Sequence, residues 1–113
     1  MVGYARAVVS GPFVFVSGTV GRDPVTGAMP EAVEDQCSNA LAIIAAALAE
    51  AGAGFADVVR VTYYLTERAD FEPCWAQLRA AFGANPPAST VVFAALLDPA
   101  MKIEIEVTAH LAG

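Results

Sequence analysis

Positive charge is scarce in this chain: lysine and arginine number six against twelve acidic residues, and Lys102 is the sole lysine, for a net charge of -6. A surface that tracks phosphates needs concentrated cations, so no nucleic-acid partner is expected. Histidine occurs once, as His110, and the two cysteines, Cys37 and Cys74, are far apart with no C-x-x-C spacing. That excludes the usual zinc and dithiol signatures and leaves both thiols as reduced packing groups; no metal and no cofactor are expected. The longest apolar run, Ala40 to Ala49, stops at Glu50 and is far short of the roughly 20 residues that cross a bilayer, so it reads as a core helix and no membrane partner is expected. The chain does not open with a basic segment leading into an apolar run and a small-residue cleavage site, which makes a cytoplasmic location the expectation. The glycines Gly52 and Gly54 follow a helix, not a strand, and so form no dinucleotide fingerprint.

Apolar residues, by contrast, make up 57% of the 113 residues and charged ones only 16%. The length suits one domain, residues 1–113, with limited interior volume. Short β-rich runs from Tyr4 to Val9 and Phe13 to Ser17 flank the turn residues Ser10 to Pro12 and predict a hairpin. A Gly/Pro-rich loop follows over Gly21 to Pro30. Val33, Cys37, Ala40, Leu41, Ile44 and Leu48 recur at helical spacing and predict a helix from about Pro30 to Ala51, stopped by Gly52 and Gly54. "DVVRVTYYLT", Asp57 to Thr66, reads as a third strand, and "DFEPCWAQLRAAFG" as a second helix ending at Gly83. The segment from Pro86 to Leu111 reads as two further strands joined by a tight connection, the last placing Lys102, Glu104 and Glu106 on one face.

The order β-β-α-β-α-β-β predicts an α+β fold, a mixed sheet with two helices on one face. Yet "FVFV" and "STVVFAALL" are apolar at odd and even positions alike, so both faces of those strands need cover. An exposed apolar sheet is poorly tolerated on a soluble monomer, which predicts that the chain is its own partner, as a homo-oligomer.

Taken together, "YARAV", "FVFVSGTVGRDPVTG", "DQCSNAL", "ALAEAGAGFADVVRVTYYLTERADF" and "KIEIEVTA" resemble the Rid family, also called YjgF or reactive intermediate deaminases, across nearly the whole chain. The resemblance implies a chorismate-mutase-like subunit, a homotrimer, and clefts at the subunit boundaries that take a small-molecule ligand. In the family's best-studied branch an arginine after "PA" grips the carboxylate of an enamine or imine, and a glutamate of "EIE" helps water attack the imine carbon. By position that glutamate is Glu104. The arginine's place is held by Ser89, because "PARS" reads "PAST" here, and Val91 replaces a small polar or thiol residue. Weak or absent activity on 2-aminoacrylate follows from that departure. The family's first-strand tyrosine carries to Tyr4, its serine and glycine to Ser17 and Gly18, and Trp75 stands where the branch often has asparagine.

Each of these residues also has a plain reading. Glu104 alternates with Ile103 and Ile105 and is equally a solvated carboxylate; Glu106 beside it carries no family role. Arg6 shares parity with Tyr4 and is either a carboxylate clamp within the cleft, a salt-bridge partner of Glu104, or a surface arginine. Ser17 and Gly18 also suit a turn, and Trp75 shares a helical stripe with Phe71 and Leu78 and suits the core. Arg60 reads as a local ion-pair partner or a snorkelling side chain, and His110 as a surface residue. Two functions remain open: hydrolysis of a small imine or enamine, or a trimer that binds a metabolite or protein without turnover. Endoribonuclease activity lacks the basic groove it would need.

Overall fold

The computed structural model describes residues 3–111. Its strands are β1 (Ala7–Ser10), β2 (Phe13–Val20), β3 (Val58–Leu65), β4 (Ala88–Phe93) and β5 (Ile103–His110), and its helices α1 (Val33–Glu50) and α2 (Trp75–Phe82). Short 3-10 turns at Phe55–Asp57, Arg68–Asp70 and Glu72–Cys74 lead into β3 and α2. The mixed sheet with two helices is the α+β architecture expected, in the expected order. α1 starts at Val33, three residues after Pro30, because Ala32 is still extended (ψ 131°).

The sheet order is β1-β2-β5-β3-β4, with β3 and β4 parallel and all other pairs antiparallel. This corrects the expected tight pairing of the last two strands: β3 lies between β4 and β5. The segment 94–102 therefore passes β3 to reach β5 instead of turning back on β4, while the crossover that the parallel β3–β4 pair requires is the α2 connection between them.

One sheet face is the core. Val14 and Val16 of β2, Val61, Tyr63 and Leu65 of β3, and Ile103, Ile105, Val107 and Ala109 of β5 pack against the α1 stripe of Cys37, Ala40, Ile44 and Leu48 and against Leu78 and Phe82 of α2. Period-two alternation on the strands and three-to-four spacing on the helices bring these apolar sets together. Phe55 stands edge-on to Phe82, with ring centroids 5.2 Å apart, and closes one end. Both cysteines are buried free thiols, and the hydrogen bond that the Cys37 thiol donates to Cys74, together with burial, pushes the Cys37 pKa up.

The opposite face is bare within one chain. Val8 (52%), Phe13 (39%), Phe15 (45%) and Val92 (37%) all remain exposed there, so the apolar odd positions of "FVFV" have no cover from the chain's own helices. Along β4 every residue except Val91 is exposed, which leaves this edge strand uncovered on both sides.

Gln36 ties the layers together. It is fully buried, and its Nε2 donates to the carbonyls of Pro30 (2.7 Å) and Ala100 (3.0 Å) while its Oε1 accepts from the Lys102 amide (2.9 Å). One amide side chain thus fixes the entry to α1 and the start of β5, two residues before Glu104. No helix of the described residues is long and apolar enough to cross a membrane.

Candidate functional site

Glu104 lies on the open face of β5, opposite Tyr64 of β3 and Val20 of β2. A bulge in β2 shapes its seat. Between Val16 and Thr19 the strand advances three residues while β5 advances two, from Val107 to Ile105, so Ser17 and Gly18 together face the stretch around Glu106. A bulge of this kind reverses the in/out alternation, and Thr19 becomes a core residue, 1% exposed, in place of an even-numbered one. Gly18 is bare backbone beneath the carboxylate: a Cβ there would fall 2.6 Å from Glu104 Oε2 and 2.9 Å from its Cδ. "SG" is therefore no turn at the end of a strand but a bulge that makes room for an acid.

Partial burial raises the pKa of Glu104 above the ordinary 4.5, and the neighbouring Glu106 adds to the effect. Glu106 is itself held, accepting a 2.7 Å hydrogen bond at Oε1 from the Tyr64 hydroxyl, a bond that in turn raises the tyrosine's pKa. Among the described residues Glu104 has no such donor, so its oxygens are available to a water or ligand. A carboxylate with raised pKa and a free lone pair suits proton exchange with water. Beside it, Val8, Phe15, Ser17, Arg60, Thr62 and Glu106 line a depression of about 300 Å³.

The other expected residues are distributed differently. Tyr4 and Arg6 precede β1, which begins at Ala7, so the expectation that both project from one face of the first strand is corrected. Tyr4 is largely exposed. Arg6 donates from Nη1 to Thr19 Oγ1 (3.0 Å), a core-face residue, and borders α1 near Ala42, Ala46 and Glu50. That puts its guanidinium on the helix side, away from Glu104, and the salt bridge to Glu104 weighed from sequence is not formed; among the described residues the one ion pair within 4.0 Å is Arg22–Asp98. The Ser17 hydroxyl donates to Ala5 O (2.6 Å) and its amide to Arg6 O (2.9 Å), so Ser17 pins the 4–6 segment along the bulge.

Ser89 pairs in register with Val61, a core-face residue, and lines a groove with Trp75, Phe71 and Tyr63 on the helix side. Trp75 is 45% exposed and edge-on to Phe71 (6.1 Å), a rim residue more than a core one. Within one chain, Ser89 and Trp75 are thus on the face of the sheet opposite Glu104. Lys102 also leaves the expected acid row: it precedes β5, and its Nζ donates to Glu31 O (2.6 Å). His110 stands edge-on to Phe13 at 5.2 Å. Sequence reasoning missed Gln36, although its polar side chain inside the apolar α1 stripe was the available signal. Among the described residues no group of three His, Cys, Asp or Glu is placed to hold a metal ion.

Comparison with known proteins extends this geometry. A family model described as endoribonuclease L-PSP matches residues 1–111. The chain is 35% identical over 108 residues to a RutC family protein of Pyrococcus abyssi, covering 95% of this chain and 85% of that one. It is 35% identical over 109 residues to a 2-iminobutanoate/2-iminopropanoate deaminase of Salmonella typhimurium, covering 94% and 85%. Among solved structures, a Mycobacterium tuberculosis member of the YjgF/YER057c/UK114 family superimposes with a TM-score of 0.87 at 37% identity, covering 97% of this chain and 88% of that one.

Proposed function

Since the chain belongs to the Rid (YjgF, endoribonuclease L-PSP) family, we propose that it is a homotrimer that hydrolyses a small imine or enamine in clefts between its copies, with Glu104 handling the water. The observation that carries this reading is the seat of Glu104: a partly buried carboxylate of raised pKa, with no side-chain donor among the described residues, held over the bare backbone of Gly18.

The chemistry follows from that carboxylate. Glu104 takes a proton from water as the oxygen bonds to the imine carbon and the carbon–nitrogen π pair moves to nitrogen; Glu104 returns that proton to nitrogen, giving a carbinolamine, whose hydroxyl proton then passes to the amino group as the carbonyl forms, the carbon–nitrogen bond breaks and ammonia leaves. Burial makes the carboxylate a stronger base than a solvated one, which favours the first step.

Two features support assembly. The open face exposes Val8, Phe13, Phe15 and Val92, an apolar surface that a second copy would cover. Ser89 and Trp75 are on the opposite side of the sheet from Glu104, so these residues build one site only if different copies contribute them. Tyr4, exposed and outside β1, would close over such a cleft; Ser17 and Gly18 shape its floor. Arg6, held by Thr19 on the helix side, takes no part in this reading.

Ser89 offers a hydroxyl where the family's deaminase branch has a guanidinium, and a charge-assisted hydrogen bond contributes on the order of 1.5–3 kcal/mol. Turnover of 2-aminoacrylate and 2-iminopropanoate is therefore expected to be slow. Imines generated in situ from a panel of amino acids by an amino-acid oxidase, with ammonia release followed, test the proposal. Accelerated hydrolysis of at least one imine, with 2-iminopropanoate among the poorer substrates, is the expected pattern; no acceleration of any imine contradicts it. The same absence of a cation at Ser89 favours a second reading, a trimer that binds a metabolite in these clefts without turning it over.

A further inference from the structure

The groove that holds Ser89 has a composition of its own. It is about 330 Å³, lies between α2 and the outer strand β4, and is walled by Trp75, Phe71, Leu78 and Phe82, with Tyr63 at its base. In a chain with twelve acids, none lines it; its single charged residue is Arg79. Arg79 is four residues after Trp75 on α2, so the two side chains share one helix face. It forms no ion pair within 4.0 Å with any described residue, the pair that exists being Arg22–Asp98. Tyr63 is 4% exposed, and burial, with the buried Cys37 and Cys74 thiols nearby, raises its pKa, so it stays neutral at the base. Trp75, Phe71 and Tyr63 form a run of rings, 6.1 and 5.6 Å apart, and Trp75 leaves 45% of its surface open at the rim.

An apolar wall of angled rings, one guanidinium without an ion-pair partner and the Ser89 hydroxyl, with no competing carboxylate, are complementary to one kind of small molecule. We infer that this groove binds a monocarboxylate with an aromatic body, its ring against Trp75 and Phe71 and its carboxylate on Arg79, with Ser89 as a hydroxyl donor. A guanidinium beside apolar walls competes with less water for its anion than one in open solvent, which strengthens the contact. The assignment names the substrate class of the site proposed above, arylated imino acids, and rests on that reading, because Ser89 and Trp75 belong to it. It also fits a preference away from 2-aminoacrylate, which carries no ring.

Trp75 is the only tryptophan, so its fluorescence reports the groove directly. The probe is 3-phenylpropanoate, with 3-phenylpropan-1-ol as the uncharged counterpart, and calorimetric titration as a second readout. Wild-type protein should give saturable binding of the acid at least about ten-fold tighter than of the alcohol. Arg79→Gln, at an exposed helix position where folding is not at stake, should weaken the acid about ten-fold and leave the alcohol unchanged. Equal binding of acid and alcohol, an acid affinity indifferent to Arg79→Gln, or no saturable binding of either probe overturns the inference. The two readings fail separately: Glu104-dependent turnover of small imines without acid binding removes only this groove's ligand, whereas Arg79-dependent acid binding without turnover of any imine removes the hydrolase.

Discussion

Glu104→Gln is expected to lower imine turnover by at least about 100-fold while leaving the fold and ligand affinity in place, the range in which loss of a positioned acid–base group falls. Glutamine keeps the shape of the side chain over Gly18 and loses only the ionisable oxygen. The same substitution has a second signature of opposite sign. Because the folded pKa of Glu104 is raised above 4.5, the native state retains a proton that the unfolded chain has already released. Ionisation therefore works against folding: the cost is absent below pH 4.5, grows as pH rises towards the folded pKa, and is complete above it. The glutamine variant should accordingly be more stable than wild type at pH 7 and equal to it near pH 4, as read by denaturant midpoints at matched protein concentration. A site whose removal stabilises the fold is what a group retained for chemistry produces. Unchanged turnover in this variant contradicts the catalytic role.

Gln36→Leu is expected to be the most destabilising conservative change in the chain. Leucine fits the volume but leaves the carbonyls of Pro30 and Ala100 and the amide of Lys102 without their partner. Each buried orphan costs about 1–3 kcal/mol, so about 3 kcal/mol in all is a conservative sum, which for a domain of this size lowers the melting midpoint by roughly 10–20 °C. Gln36→Glu should fail in a pH-dependent way, since a carboxylate accepts from Lys102 but presents lone pairs to two carbonyls; acidification restores a donor to one of them. A melting curve for Gln36→Leu superimposable on wild type would show that the entry to α1 and the start of β5 are held by packing alone.

The order and type of the elements were legible in the sequence because they rest on periodicity: the three-to-four spacing of Cys37, Ile44 and Leu48, and the alternation of Ile103, Ile105 and Val107, each have one physical solution. Pairing was less legible. Adjacent strands in sequence usually neighbour in space, and "ALLDP" between β4 and β5 has turn composition, yet the parallel β3–β4 pair separates them. Nothing local distinguishes a nine-residue connection past β3, 94–102, from a long hairpin loop; the choice depends on which strand β3 accepts.

The candidate site was legible in one half only. The place of Glu104 on a polar face follows from strand parity, whereas its seat over Gly18 depends on the Val16/Thr19 register shift, which no composition signals. The β-prone composition of "YARAVV" points to a strand at Tyr4 and Arg6, but the hydrogen bonds of Ser17 to Ala5 and Arg6 take this segment along the bulge instead of into the ladder. Ser89 is on an edge strand with polar and apolar residues in no clean alternation, so its facing, set by the Val61 pairing, was undetermined. Gln36 and Arg79 give little signal for one reason: each is a polar residue on a helix whose dominant pattern is its apolar stripe.

Sedimentation velocity at low micromolar concentration tests the central claim most directly, because a site built from Ser89 and Trp75 on one face and Glu104 on the other exists only where copies meet. The account predicts a single species of three 11.7 kDa chains, about 35 kDa; a stable 11.7 kDa monomer with full catalytic activity would contradict it.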